Sequence, residues 1–216
     1  MSNQIFEMKV LIADDHTIVR EGIKVLLTEA YPFGEISAVS DSVELMKLVY
    51  KQKWDVIICD ISMPPGDSGL EAVKQIKEYS PKTPVIILSM HASDIYGVRA
   101  IKAGAMGYLT KAVAAKELIN AVNCVLSGKK YLSAEMAEAM ANSIEIGSKL
   151  QTVEGLSDRE FEVFKYLASG KSVSEIAKLL ILSSNTVSTY HARVFQKMGF
   201  NNNMELIKHA IDNNII

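Results

Sequence analysis

Five residues of this 216-residue chain have the types and spacing to handle a phosphoryl group together: Asp14, Asp15, Asp60, Ser89 and Lys111. Each closes a short apolar run. Residues 10–13 lead into Asp14 and Asp15, 56–59 into Asp60, 85–88 into Ser89, and 107–110 into Lys111. If the runs are parallel strands of an open α/β sheet, their carboxyl ends converge on one crevice. Three carboxylates gathered there repel one another and call for a cation. Oxygen ligands of this kind suit Mg²⁺, which keeps several waters and is often shared with phosphate oxygens. Asp60 is then the nucleophile. Lys111 is a point charge for the transferred phosphoryl, and Ser89 a hydrogen-bond donor to one of its oxygens. A lone aspartate at a strand end is more often a helix cap. The order acid pair, acid, hydroxyl, lysine on four strand ends is what favours a site over four unrelated caps.

The elements that must position these residues are visible between the runs. Val19, Ile23, Leu26 and Ala30 recur at helical spacing, as do Leu70, Val73 and Ile76, and Leu118, Ala121, Val122 and Val125. With residues 36–39 as a further strand, five strand-then-helix repeats extend across 9–127. That pattern predicts an α/β fold, a doubly wound five-stranded parallel sheet. Near-continuous apolar strands suit a sheet covered on both faces.

After Gly128 the character changes. Residues 134–141, rich in Ala, Met and Glu, read as a short helix, and 145–155 show little periodicity. The expected organisation is an α/β domain over 1–130, a linker over 131–150 and a smaller all-α domain over 151–216. From Leu156 onward only helical periods appear. Ser157 with Glu160, and Ser172 with Glu175, form Ser-x-x-Glu capping boxes at two helix starts. The first run buries Phe161, Phe164 and Leu167, and the second Val173, Ile176, Ala177 and Leu180. A third, opening at Ser183 or Ser184, turns Val187, Tyr190, Val194 and Met198 inward, and a fourth covers 204–211. The short link between the second and third has helix-turn-helix spacing.

Composition narrows the function classes. The net charge is −2 and 49% of residues are hydrophobic, so neither disorder nor an overall basic footprint is indicated. No apolar run approaches the roughly 18 residues of a membrane span, and residues 1–8 lack a basic start followed by an apolar stretch. A soluble, cytoplasmic protein with no membrane partner is expected. Cys59 and Cys124 both fall in apolar segments and read as reduced core thiols.

Any nucleic-acid contact must therefore rest on local charge. Residues 151–216 carry seven Lys or Arg against seven Asp or Glu, yet 176–204 contain no carboxylate while holding Lys178, His191, Arg193 and Lys197. On the third helix the outward face presents Ser184, Asn185, Ser188, Thr189, Ala192 and Gln196, side chains sized for base edges and thymine methyls in a major groove. Arg193 and Lys197 are expected at phosphates. By itself such a helix is equally a solvated amphipathic one.

The motifs around these residues carry a resemblance. Asp14-Asp15, Asp60-Ile-Ser-Met-Pro64, Ser89 and Gly107-Tyr-Leu-Thr-Lys111 resemble the receiver domain of bacterial two-component response regulators over residues 8–128. Leu156-Ser-Asp-Arg-Glu160, Gly170-Lys-Ser172, Glu175-Ile-Ala177, Thr186-Val187 and Lys197-Met198 resemble the LuxR-type helix-turn-helix over 150–214. That order of domains is the NarL/FixJ arrangement. The resemblance implies a flavodoxin-like receiver in which Asp60 takes a phosphoryl group from a sensor histidine kinase. It implies Mg²⁺ held by Asp14, Asp15, Asp60 and the Ser62 carbonyl, with Tyr108 as a switch aromatic. It further implies a homodimer formed on phosphorylation that binds double-stranded DNA to control transcription, with no enzyme activity beyond phosphorylation and dephosphorylation of Asp60.

Three departures stand out. Gly69 lies nine residues after Asp60 where eight is usual, Ala112 replaces a frequent proline after Lys111, and Tyr190 stands where the family often has His. Ser62 and His91 are placed to tune dephosphorylation. Two rival readings are a regulator independent of phosphorylation and an aspartyl phosphohydrolase. The latter usually needs a second acid where Ser62 stands.

Overall fold

The computed structural model describes residues 8–63, 68–90, 93–134, 136–138, 141, 153–213 and 215. The chain divides into two compact units, residues 1–145 and 146–216. In the first, ahead of helical residues at 134, 136–138 and 141 where a short helix is expected, five strands and five helices alternate among the described residues up to 126. These are β1 (Lys9–Ala13), α1 (Thr17–Ala30), β2 (Glu35–Val39), α2 (Ser42–Lys51), β3 (Val56–Asp60), α3 (Gly69–Tyr79), β4 (Val85–Ser89), α4 (Ser93–Ala103), β5 (Gly107–Thr110) and α5 (Lys111–Leu126). The sheet order is β2-β1-β3-β4-β5 and every pairing is parallel. The expected doubly wound sheet is present. Strands β3 and β4 are buried at every position, which explains why they read as unbroken apolar runs rather than alternating ones.

Each face of the sheet carries its own core. Leu11, Ile57, Cys59, Ile87 and Tyr108 face the core that α2 and α3 cover with Leu45, Val49, Val73 and Ile76. Val10, Ile12, Ile58, Ile86 and Leu109 face the core that α1 and α5 cover with Ile23, Leu27, Leu118 and Val122. One detail of α1 departs from expectation. Ala30 is exposed and Leu27 is the buried residue, because the face is set by the i, i+4 pair Ile23 and Leu27 rather than by the Leu26–Ala30 pair.

The first unit also runs past the expected edge at 130. Tyr131 forms an isolated bridge with Gly107, continuing the sheet beyond β5. Leu132 packs on the core, and Met136 is fully buried in it. Packing rather than flexible linking accounts for the Met-rich character of this stretch. Most of the expected linker, including residues 142–150, lies outside the described residues.

Among its described residues the second unit holds only helices and turns. A 3₁₀ turn (Val153–Gly155) precedes α6 (Asp158–Ala168), α7 (Val173–Leu180), α8 (Ser184–Met198) and α9 (Asn203–Asp212). Both expected capping boxes are closed, Ser157 with Glu160 and Ser172 with Glu175. Phe161, Val163, Phe164, Ile176, Val187, Val194 and Leu206 form the buried interior. Tyr190, Val173 and Leu180 are only half-buried.

Between α7 and α8 the chain turns at Ile181, which adopts the left-handed conformation at φ 54° and ψ 47°. A β-branched residue there is strained. Gly199 ends α8 in the same conformation at φ 69°, where no such penalty arises. Ile181 is well exposed, so little packing is lost on its removal. Ile181→Gly is expected to stabilise the helical unit by about 0.5–1 kcal/mol, and Gly199→Ala to destabilise it by about 1 kcal/mol. Denaturant unfolding of the full chain, followed by hydrogen exchange of α7 and α8 amides, checks both signs.

Candidate functional site

The crevice at the carboxyl ends of the strands follows from the register. Ala13 pairs with both Val39 and Cys59, so Asp14 and Asp60, each one residue further on, end up side by side. Asp60 pairs with Leu88, so Ser89 lies one residue beyond it, and Ser89 pairs with Thr110, which precedes Lys111. All the residues expected from the strand ends are thereby brought to one end of the sheet. Lys111 is the first residue of α5 rather than the last of β5.

The central contact is ionic. Lys111 Nζ lies 2.8 Å from Asp14 Oδ2 and 2.7 Å from Asp60 Oδ2, with only 6% of the lysine side chain exposed. Asp14 and Ser89 are fully buried and Asp60 nearly so. Burial pushes the Asp60 carboxyl up to about 6; the Lys111 hydrogen bond offsets this in part, and the nearby Asp14 charge adds to it. Burial also works against the Lys111 ammonium, but its hydrogen bonds to the two carboxylates outweigh this and hold its pKa above the ordinary lysine value. Burial likewise pushes up the Cys59 thiol, which donates to the Asp60 carbonyl at 3.3 Å, so the cysteine is an inert neutral neighbour.

The main chain is equally constrained around Asp60. Ser62 N donates to Asp60 Oδ1 at 3.4 Å. Gly69 N donates to the Ile61 carbonyl, and a Cβ added at Gly69 would stand 2.0 Å from the Asp60 carbonyl oxygen. Only glycine fits there. The nine-residue spacing thus still delivers a glycine onto the Asp60 backbone. Residues 64–67 of that loop, and His91, lie outside the described residues. Tyr108 is buried in the α3-side core at 2% exposure, so its side chain is already inward in this structure.

Two residues at the site were not singled out from the sequence. Arg20 Nη1 donates to the Asp14 main-chain carbonyl at 2.7 Å, fixing the β1–α1 turn from one helical turn away. His16 caps α1, its backbone N donates to Asp14 Oδ1 at 2.8 Å, and its Nδ1 lies 2.6 Å from Asp15 Oδ1. The signal for His16 was its place directly after the aspartate pair.

The donor set fits a divalent cation. Single ligand atoms from Asp14, Asp15, His16 and Asp60 all lie within 4.8 Å of one another. Asp14 Oδ2 and Asp15 Oδ1 are buried, and their polar neighbours are the Lys111 ammonium at 2.8 Å and His16 Nδ1 at 2.6 Å. Three carboxylates against one ammonium leave net negative charge, which suits a cation.

In the helical unit, Ser184, Asn185, Ser188, Thr189, Ala192, Arg193 and Gln196 are exposed on α8, as expected. Lys197 has a different engagement. Its Nζ lies 2.6 Å from Glu160 Oε2 and donates to the Gly155 carbonyl at 3.3 Å. Glu160 is only 3% exposed, and its Oε2 also accepts from Ser157 N. Lys197 therefore ties α8 to the start of α6. Among the described residues, no helix is long and apolar enough to cross a membrane.

Comparison with known proteins agrees with this geometry. Residues 10–123 match the response regulator receiver domain, and residues 154–210 match the luxR family of bacterial regulatory proteins. The chain is 32% identical to the oxygen regulatory protein NreC of Staphylococcus epidermidis over 216 residues, covering 97% of this chain and 99% of that one. It is 33% identical to NreC of Staphylococcus carnosus over 215 residues, with the same coverage. Among solved structures it resembles RcsB of Salmonella enterica serovar Typhimurium bound to promoter rprA in the presence of a phosphomimetic. There the TM-score is 0.62 and the identity 29%, covering 93% of this chain and 97% of that one. A structure of two RcsB dimers bound to two parallel DNAs aligns with a TM-score of 0.59 at 29% identity, over 94% and 97% of the two chains. A receiver followed by a LuxR-type helix-turn-helix defines a DNA-binding, transcription-regulating component of a two-component system. The chain belongs to the response regulators of the NarL/FixJ family.

A pH dependence follows from Asp60. Burial pushes its carboxyl from the ordinary value of 3.8, which it regains on unfolding, up to about 6 in the folded protein. The folded state therefore binds more protons between these values, and stability falls as pH rises through the window. In EDTA, urea unfolding of the wild type is expected to lose on the order of 2 kcal/mol between pH 4 and 6.5 relative to Asp60→Asn. Parallel pH profiles for the two proteins would refute this.

Proposed function

We propose that Asp60 accepts a phosphoryl group from a phosphohistidine of a sensor kinase and that the modification controls DNA binding in the cytoplasm. The observation that carries this reading is the buried Lys111 ammonium held between Asp14 and Asp60. In the transfer, the phosphorus–nitrogen bond to the kinase histidine breaks and a phosphorus–oxygen bond to an Asp60 carboxylate oxygen forms. Asp14, Asp15, Asp60 and the Ser62 carbonyl would hold Mg²⁺, which would supply screening between the anionic donor and the anionic nucleophile. Lys111 leaves the Asp60 carboxylate and pairs with a phosphoryl oxygen, and Ser89 donates a hydrogen bond to another.

Phosphorylation converts a carboxylate into an acyl phosphate of roughly −2 charge. Drawing Lys111 toward the phosphoryl loosens its hold on Asp14 and moves the start of α5. Since Tyr108 is already inside, the switch proceeds from α5 and the β4–α4 side, with Tyr108 filling the space beneath. This change favours a homodimer. Two copies then set two α8 helices at half-sites of double-stranded DNA, in keeping with helix-turn-helix geometry. Ser184, Asn185, Ser188, Thr189, Ala192 and Gln196 read base edges, and Arg193 meets phosphate.

Acetyl phosphate with Mg²⁺ is expected to give a retarded band on a Phos-tag gel for the wild type and none for Asp60→Ala. Equal modification of the two proteins would overturn the assignment.

For DNA, Arg193→Ala is expected to reduce the slope of log affinity against log salt by about 0.9 per bound protomer. Lys197→Ala is expected to leave that slope unchanged and to lower stability by about 1 kcal/mol, through the stranded Glu160 carboxylate. Fluorescence anisotropy over a salt series, with urea unfolding alongside, separates the two residues.

A further inference from the structure

We propose that His16 is a nitrogen ligand of the receiver's cation site, giving the site a preference for first-row transition dications such as Mn²⁺ and Co²⁺ over Mg²⁺. The proposal rests on the reading of Asp14, Asp15, Asp60 and the Ser62 carbonyl as cation holders, and deepens it by naming a further ligand.

Three observations support it. The first is where the imidazole goes. His16 occupies the N-cap of α1, a position that favours Ser, Thr, Asp or Asn because their side chains satisfy a free helix N–H. Its side chain makes no such bond. Nδ1 instead turns back to the carboxylates, 2.6 Å from Asp15 Oδ1 and 3.5 Å from Asp14 Oδ1.

The second is the grouping. One ligand atom from each of Asp14, Asp15, His16 and Asp60 falls within a 4.8 Å span. Four donors at that separation can share one ion at ordinary metal–ligand distances of about 2.0–2.5 Å.

The third is the crowding of charge at the centre. Asp14 is fully buried, and its Oδ2 lies 2.8 Å from the Lys111 ammonium, which also serves Asp60, so one ammonium is shared between two buried carboxylates. The His16 backbone N donates to Asp14 Oδ1. That bond holds the imidazole on the Oδ1 side, with Nδ1 3.5 Å from that oxygen. An ion pair with Asp15 alone accounts for little, because the His16 side chain is 62% exposed and exposed pairs contribute at most about 1 kcal/mol.

The chemistry decides which ions benefit. Mg²⁺ is bound through oxygen and gains little from imidazole. Imidazole nitrogen suits the later divalent ions, whose affinity for mixed nitrogen and oxygen sites already rises from Mn²⁺ through Co²⁺. His16 thus widens the gap between these ions and Mg²⁺ and makes the phosphoacceptor site responsive to the transition metal supply.

The test uses the full chain with MgCl₂, MnCl₂ and CoCl₂. Calorimetric titration is expected to show a Co²⁺ dissociation constant raised about tenfold or more by His16→Ala, with that for Mg²⁺ changed less than about threefold. Electron spin echo modulation of bound Mn²⁺ is expected to show a directly coordinated ¹⁴N in the wild type and in His91→Ala, and none in His16→Ala. Nitrogen modulation that survives in His16→Ala, or Co²⁺ and Mg²⁺ affinities that fall together, would overturn the proposal. Failure of the underlying reading has a different signature, in which Asp14→Asn and Asp60→Asn bind all three ions as the wild type does.

Discussion

The ammonium of Lys111, buried between Asp14 and Asp60, is the interaction on which the receiver depends. Three carboxylates and one ammonium leave two negative charges at the end of the sheet, the charge a dication neutralises. Without a cation the lysine alone keeps Asp14 and Asp60 tolerable, and the Asp60 carboxyl is still held above its ordinary range by burial. The site is therefore under electrostatic tension that a bound cation relieves. In the proposed function, phosphorylation changes which oxygens the lysine serves. Because Lys111 is the first residue of α5, any movement of its ammonium is coupled to a helix rather than to a loose loop.

The sheet makes this possible through register. Parallel pairing places Asp14 and Asp60 level, brings Ser89 one residue further along and aligns Thr110 beside it, so the polar ends differ in height by single residues. Two close approaches keep the geometry fixed. Gly69 lies on the Asp60 carbonyl, and Arg20 grips the carbonyl of Asp14. A crevice built from strand ends and anchored on the main chain can hold like charges together because its backbone cannot relax to separate them.

What was legible in the sequence follows from these constraints. Strands buried on both faces appear as apolar runs, and the residue that ends each run must be polar, so the sheet and its five chemical residues were readable together. The attachment of Tyr131 and Met136 to the sheet was not, because a single bridge and one buried methionine leave no period to detect, although helix was legible at 134–141. Arg20 and His16 were missed for another reason. Both act through the main chain or through a neighbouring side chain, and neither role has a signature in residue type. The nine-residue interval to Gly69 looked like a departure, but close approach to the backbone requires a glycine in space and is indifferent to the length of the loop that brings it. Lys197 has an engagement that its sequence position did not reveal. Its charge and its place on α8 suggested phosphate, whereas a buried carboxylate at the start of α6 claims it.

That claim has a consequence for how this protein engages DNA. Glu160 serves the capping box and the Lys197 pair at once, so the α6–α8 packing spends a cation that the outer face then lacks. The α8 surface is left mainly with hydroxyls, amides and one arginine, groups that discriminate bases more than they attract phosphates. Affinity for DNA scales with the number of phosphates neutralised, and one helical unit of balanced charge neutralises few. A second copy on an adjacent half-site doubles that number and adds the gain of linkage. A weakly basic reading head makes DNA occupancy sensitive to pairing, and in the proposed function pairing is the step that the charge on Asp60 controls.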